Sequence, residues 1–321
     1  MLKKALITGA NGFVGTRLVA RLRDGKDLIA PHSAVRSNLY GLLQKNDYVV
    51  GSIDPFTDWS VPLKNIDIVI HLAARVHVME DASIDPLSEY RSVNVQGTVN
   101  LAKQAAAAGV RRFVYLSSIK VNGEESAPGK SFTEDSAPNP LDPYGVSKLE
   151  AEEGLKAVCK EAGMEFVIIR PPLIYGPGVK ANFLKLITAI KKGVPMPFGC
   201  ISNQRSMLAL DNLIDFIVLA SLDPRAGNQT FLLSDGRDIS SKELVSEIAK
   251  ALCLRPRLLP VPIFILSALG FLTGRSAAIQ RLLGSLQINP SKATKLLNWV
   301  PPVTVEEGIA RTIEAFLIDS K

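Results

Sequence analysis

Apolar and polar positions follow a regular rhythm over the first half of this chain, and the rhythm loosens near residue 177. "KKALITG" (3–9) is a short apolar run closed by glycine, and "FVGTRLVARLRDG" (13–25) follows with helical spacing, so the chain opens strand, tight turn, helix. "SAVRS" (33–37) and "DYVVGSI" (47–53) read as short strands, and "IDIVIHLAA" (66–74) as a fully buried one. A helix is predicted from about Leu87 to its stop signal, Gly109. "RRFVYLSS" (111–118) is the next strand, followed by a polar loop to Pro143, the helix "YGVSKLEAEEGLKAVCKEAG" (144–163) and the strand "EFVIIRPP" (165–172). Nearly all-apolar strands alternating with helices predict an α/β fold, a doubly wound parallel sheet with helices on both faces.

Beyond Pro177 the alternation fades into amphipathic helices such as "FLKLITAIKKG", "LDNLIDFIVLAS" and "SKELVSEIAKAL", joined by glycine and proline turns. A last helix, "VTVEEGIARTIEAFL", carries a capping box in Thr304 and Glu307. The expected division is therefore residues 1–177 as the nucleotide-binding part and 178–321 as a smaller, mixed substrate-binding part, with late strands free to return to the first sheet. "LLPVPIFILSALGFLTG" (258–274) is the most apolar late stretch, but it holds two prolines and falls short of the ~20 residues a spanning helix requires. It reads as a buried or partner-facing helix, with membrane association a minor alternative and no membrane span.

Composition narrows the function classes. A hydrophobic content of 47% with 21% charged residues over 321 positions describes a globular protein with an ample core. The formal charge of +6 suits an anionic ligand such as a nucleotide, yet the basic residues are scattered, which argues against nucleic acid as a partner. Cys159, Cys200 and Cys253 lie far apart, which points away from a disulfide framework and fits a reducing cytoplasm. His32, His71 and His77 are too few and too poorly spaced for a metal site, so none is expected. With a functional-looking motif beginning at residue 8, no cleaved signal peptide is expected either.

Two motifs carry chemistry. "TGANGFVG" sets Gly9, Gly12 and Gly15 between the first strand and the first helix, where glycine lets the backbone turn sharply and a pyrophosphate approach the helix N-terminus. The spacing is G-x-x-G-x-x-G. In "YGVSK", Tyr144 and Lys148 stand four residues apart on one helix face, so an ammonium could pull a phenol's pKa of about 10 towards the working range. Those five residues alone would more often be an aromatic helix start and a surface lysine.

Taken with "HLAA", "NVQGT", "LSS", "RPPLIYGPG", "NQRSMLALDNL" and "KLLNWVPPVTVEEGI" in this order, the two motifs make the chain resemble the extended short-chain dehydrogenase/reductase family, from its first strand nearly to its C-terminus. The resemblance implies a Rossmann-type fold and an enzyme acting on nucleotide-linked sugars. It implies Ser118, Tyr144 and Lys148 as the catalytic set, with Tyr144 exchanging a proton with the sugar oxygen at C4 and Lys148 lowering the Tyr144 pKa and holding the nicotinamide ribose. Ser117 is the rival serine; "VNG" at 121–123 matches the family's "VYG" after the active serine and favours Ser118. Implied cofactor contacts are Gly9, Asn11, Gly12, Phe13, Val14, Arg36, Ser37, Ser52, Ile53, Leu72, Ala73, Ala74, Asn94, Tyr144, Lys148 and Pro171. Asn94 would brace the cofactor-side strand or serve helix packing. Implied substrate contacts are Ser118, Lys120, Asn182, Phe198 and Arg205, the last offering a guanidinium fork to a diphosphate or an ordinary salt bridge.

Two departures from the family pattern shape the expectation. No carboxylate follows the second strand, and "APHSAVRSN" offers Arg36 and Ser37 instead, which would suit the 2′-phosphate of NADP(H) over NAD. The family's "GD" pair that reads the adenine is Gly51–Ser52 here. The leading expectation is an NADPH-dependent reductase of the 4-keto group of a UDP-linked 6-deoxy-N-acetylhexosamine. Its alternative is a UDP-sugar 4-epimerase, of the UDP-glucose or UDP-N-acetylglucosamine type, with tightly bound NAD. A 4,6-dehydratase is disfavoured because Ile119 and Lys120 stand where an Asp-Glu pair is needed, and a non-catalytic NADP(H) sensor would not require the intact set. The resemblance also implies a homodimer through helices near Leu87–Ala108 and Tyr144–Ala162.

Overall fold

A computed structural model describes residues 2–37, 44, 46–76, 85–127, 129–274 and 276–319. Strands β1 (Lys3–Thr8), β2 (Ile29–Val35), β3 (Asp47–Val49), β4 (Ile68–His71), β5 (Arg112–Leu116), β6 (Glu165–Arg170) and β9 (Gln229–Leu232) form one parallel sheet in the order β3-β2-β1-β4-β5-β6-β9. The order reverses between β1 and β4, the switch point where α/β sheets take their ligands beyond the strand C-termini. β7 (Leu173–Tyr175) and β8 (Met207–Ala209) make a separate two-stranded parallel sheet.

Helices α1 (Phe13–Arg23), α2 (Pro86–Tyr90), α3 (Gly97–Ala107) and α4 (Pro143–Ala162) precede β6 in the chain, and a π-helical stretch, 91–96, joins α2 to α3. The helices α5 (Ala181–Lys191), α6 (Leu210–Leu222), α7 (Ser241–Ala251), α8 (Ile263–Leu272), α9 (Ser276–Leu283), α10 (Ser291–Leu297) and α11 (Val305–Asp319) complete the set. One face of the sheet packs on α1 and α6 through Ile7, Leu18, Ile169, Leu213 and Phe216; the other packs on α3 and α4 through Val69, Leu101, Phe113 and Leu155. Burying both faces explains the continuous apolar runs in the strands. A third cluster, around Tyr175, Phe183, Ile248 and Ile309, is the core of the second part.

The second part is not cleanly separate, because β9 returns to the sheet beside β6 and α6 covers its face. The knot that ties the parts is polar. Tyr175 donates to Asp235 at 2.7 Å, and Asp235 also accepts from the Ala209 amide and from Asn212, whose side chain brackets the Val303 backbone.

Several element expectations shift. β2 starts at Ile29, earlier than "SAVRS", and only Asp47–Val49 of "DYVVGSI" pairs. β4 ends at His71, so "LAA" leaves the sheet. The Thr304–Glu307 capping box forms, with both reciprocal bonds present. For the 258–274 stretch it is the buried reading that is corrected: only Leu266 and Gly270 of α8 are buried, and the rest of that helix faces solvent. No helix among the described residues is long and apolar enough to cross a membrane. His77 lies outside the described residues.

Candidate active site

The glycine turn is built by exclusion of side chains. Gly9 has φ +67°, and a Cβ there would lie 2.8 Å from the Ala73 nitrogen. A Cβ on Gly15 would lie 2.1 Å from the Gly9 carbonyl oxygen, so α1 approaches the turn as only glycine allows. "LAA" thus runs directly against the turn. Gly12 is the N-cap of α1 and supplies no capping side chain, leaving first-turn amides directed outwards. Asn11, Phe13 and Val14 surround that opening at the C-terminal edge of β1.

Beneath the turn lies a chain of neutral hydrogen bonds. Thr98 donates its one hydroxyl proton to the Asn94 carbonyl at 2.7 Å, so towards His71 it must accept, and His71 carries its proton on Nε2. His71 Nδ1 then accepts from the Thr8 hydroxyl at 2.6 Å, and Thr8 accepts from the Ala73 amide. Burial, aided by Lys148, pushes the His71 pKa down to about 3, which keeps the imidazole neutral. Asn94 is buried, accepts from the Arg75 amide at 2.8 Å, and donates to the Arg75 carbonyl and to Ser147. Its bonds serve both sequence readings, bracing the segment after β4 through Arg75 and tying its own helical stretch to α4 through Ser147.

The two serines after β5 point opposite ways because the chain there stays extended, bonded to β6 and the residues beyond through Ser117 N–Ile169 O and Ile119 N–Pro171 O. Ser117 is buried and donates to Glu152 at 2.5 Å. Glu152, fully buried on α4, is gripped bidentately by Arg170 at 2.9 and 2.6 Å, and Arg170 also reaches Asn122. Ser118, facing the other side, shares a hydrogen bond with the Tyr144 phenol. Ser117 is thereby committed to a buried ion-pair network, and Ser118 stands at the phenol.

Asp142 caps α4 by accepting from the Gly145 amide at 2.7 Å, and Pro143 occupies the first turn, which places Tyr144 at the helix entrance. Tyr144 and Lys148 share a face as the spacing predicts, but the tuning differs from expectation. Burial raises the phenol well above its ordinary pKa, Asp142 and Tyr90 add to this, and Ser118 opposes it. The Lys148 ammonium instead donates to the Leu116 carbonyl at 2.7 Å and sits 4.3 Å from the Tyr115 ring centroid. Burial lowers its own pKa to about 7, against the pull of Glu152. The carbonyl and the ring attract the ammonium, so its charge is spent there and not on Tyr144.

The other expected contacts are spread around this centre. Pro171 is buried at the end of β6, Ile53 packs against Gly97 of α3, and Ser52 is exposed beside it. Arg36 lies exposed directly after β2, with Ser37 half-buried next to it. Lys120 bridges Glu124 at 3.0 Å and Asp142, which ties the Ser118 turn to the cap of α4. Asn182 is exposed at the start of α5, and Phe198 packs at the edge of the third core cluster. Arg205 donates to the Gly284 carbonyl at 2.9 Å; burial lowers its pKa, and Glu125 and Glu124 oppose this, so Arg205 feels the loop that follows Ser118. Glu152, Arg170 and Asp142 were not anticipated from the sequence. The only signal for Asp142 was its position before Pro143, a helix-start pair.

Known proteins resemble this chain over nearly its whole length. The chain is 48% identical to UDP-glucose 4-epimerase of Vibrio cholerae, over 99% of this chain and 96% of the relative. It is 28% identical to N-acetyl-alpha-D-glucosaminyl-diphospho-ditrans,octacis-undecaprenol 4-epimerase of Escherichia coli O157:H7, over 100% and 97%. Among solved structures it resembles MoeE5 in complex with UDP-glucose and NAD, with TM-score 0.78 and 26% identity over 99% of this chain and 100% of that one. Residues 5–233 match the profile of the NAD dependent epimerase/dehydratase family. With that match over most of the chain and the motifs in the order seen here, the chain belongs to the NAD dependent epimerase/dehydratase family, on the extended short-chain dehydrogenase/reductase plan.

Proposed function

We propose that this protein is a UDP-sugar 4-epimerase, of the UDP-glucose or UDP-N-acetylglucosamine type, working with a retained NAD. The observation that carries the reading is the near full-length, 48% identity to a protein named UDP-glucose 4-epimerase. The NAD-binding residues proposed are Gly9, Asn11, Gly12, Phe13 and Val14 at the pyrophosphate, Ser52 and Ile53 at the adenine, and Leu72, Ala73, Ala74, Asn94, Lys148 and Pro171 along the rest. The fit is supported by the turn that no Cβ could enter and by the uncapped helix start.

When bound, NAD would supply hydride acceptance and return at C4 of the sugar. Tyr144 takes the proton from the sugar's 4-hydroxyl and gives it back, and Ser118 hydrogen-bonds both that oxygen and the phenol. The Ser118 bond is the influence in this site that favours the phenolate. Lys148, divided between ammonium and amine near neutral pH, anchors the ribose side. Arg205, Asn182, Phe198 and Lys120 would hold the nucleotide diphosphate. Two copies would pair through the exposed sides of α3 and α4.

Arg36 tilted the expectation towards an NADPH-dependent 4-keto reductase, whereas the family description and the MoeE5 complex both carry NAD. Arg36, exposed after β2, remains the observation that favours this second reading. The test uses purified protein with UDP-galactose or UDP-N-acetylgalactosamine and no added cofactor. Conversion to the 4-epimer, with NAD released on denaturation, is expected. Oxidation of NADPH only with a 4-keto sugar nucleotide, lost in Arg36→Ala, would overturn it.

A further inference from the structure

α8 is apolar but for Ser267, yet only Leu266 and Gly270 are buried, Gly270 against Ile279 of α9. Phe264 is 72% exposed, Phe271 and Leu272 are each 79% exposed, and Ile263 and Leu269 join them. An exposed contiguous patch of this kind marks a docking surface. Its charge surroundings say for what. Between Glu247 and Glu306 the sequence has no acidic residue and seven basic ones: Lys250, Arg255, Arg257, Arg275, Arg281, Lys292 and Lys295. Arg255 and Arg257 are exposed immediately before the hairpin, and Arg257 donates to the Gly193 carbonyl, which brings it beside Lys192.

We propose that the α8–α9 hairpin docks this protein peripherally on an anionic phospholipid surface, with the phenylalanines and leucines in the interface and the arginines on the headgroups. Aromatic and leucine side chains beside exposed basic ones, here Arg255 and Arg257, are the composition of interfacial helices, and the carboxylate against the hairpin, Glu125, stands at its far Gly284 end. At ten residues, α8 is about 15 Å long and lies on the surface without crossing it. A second copy of the chain is a poorer occupant, since it would bring the same positive charges face to face.

The hairpin is also wired to the candidate substrate side. At its start, the Leu259 amide donates to the Met196 carbonyl and the Leu259 carbonyl accepts from Gly199, next to Phe198. At its end, the carbonyls of Leu282 and Gly284 accept from Asn203, and Gly284 also accepts from Arg205. Gln280 of α9 lines a cavity of about 410 Å³ with Asn122, Gly123, Glu124 and Leu141, beside the Ser118 turn. A lipid-docked hairpin would therefore set the substrate entrance at the membrane surface.

The experiment is co-sedimentation of the full chain with vesicles of phosphatidylcholine alone and of phosphatidylcholine mixed with phosphatidylglycerol. Binding to the mixed vesicles is expected, weakening with salt. Arg255→Glu with Arg257→Glu should cut it about thirtyfold or more. Phe264→Ser with Phe271→Ser and Leu272→Ser should abolish it, while circular dichroism and sugar-nucleotide conversion stay as in the parent. Failure to sediment with either vesicle overturns the proposal. So does light scattering that shows a lipid-independent dimer lost in the triple variant, which would assign the face to a second copy. Binding without any 4-epimerase activity would leave the docking intact and remove only the functional reading.

Discussion

Around the Ser118–Tyr144 centre the chain hides its apolar side chains and closes a buried ion pair, whereas between 254 and 284 it leaves phenylalanines and leucines in solvent. Glu152 has no exposed surface, and its two oxygens are taken by Ser117 and Arg170. Phe264, in contrast, is mostly exposed although it is as apolar as any core residue. The difference teaches that burial near the centre serves position. A closed network holds the β5 exit, α4 and the end of β6 in one register, so that Ser118 meets Tyr144. The hairpin holds its register only at its two ends, and its outer face is left for a partner.

Breaking the centre should have the largest effect. Tyr144→Phe removes only the phenolic oxygen, so turnover should fall about a hundredfold to ten-thousandfold with NAD retention and melting temperature nearly unchanged. Steady-state kinetics beside a thermal melt check this, and intact turnover would remove Tyr144 from the chemistry. Arg170→Met leaves Glu152 buried without its counter-charge and should cost about 3–5 kcal/mol in denaturant unfolding. A loss below ~1 kcal/mol would mean that Glu152 finds another partner or takes up a proton readily.

The next effect is pH-dependent. The Lys148 pKa is lowered from 10.5 to about 7, so above about 7 the unfolded chain binds more protons at this site than the folded one. Its contribution to stability therefore rises with pH from about 7 upwards and is flat below. Lys148→Met should gain on the parent most at and below neutral pH, and the gap should narrow towards pH 9, read as a difference in melting temperature. His71 works further down the scale. With a folded pKa of about 3 against an unfolded 6.5, it withdraws stability as pH falls through that interval and none below it.

The smallest effect is expected on the hairpin. Phe264→Ser should change unfolding free energy by no more than about 0.5 kcal/mol, since little area leaves contact. A core change such as Ile169→Ala should cost about 2–5 kcal/mol in the same assay. If the two changes cost alike, the hairpin is packed in solution and the contrast fails.

Much of the sheet was legible because burial on both faces writes unbroken apolar runs, as in "KKALITG" and "EFVIIRPP". Short edge strands such as β3 were overread, because "DYVVGSI" is apolar for packing and only three of its residues find a partner strand. The sequence alone determined the strand–turn–helix opening, the shared face of Tyr144 and Lys148, and the capping box before α11, all of which depend on neighbours a few residues apart. Tertiary structure decided the rest. It chose Ser118 over Ser117 at the phenol, through extended backbone bonded to β6. It sent the Lys148 ammonium to the Leu116 carbonyl and left α8 uncovered. Each of these turns on a partner distant in the chain, or on solvent, and no local spacing specifies which groups will be there.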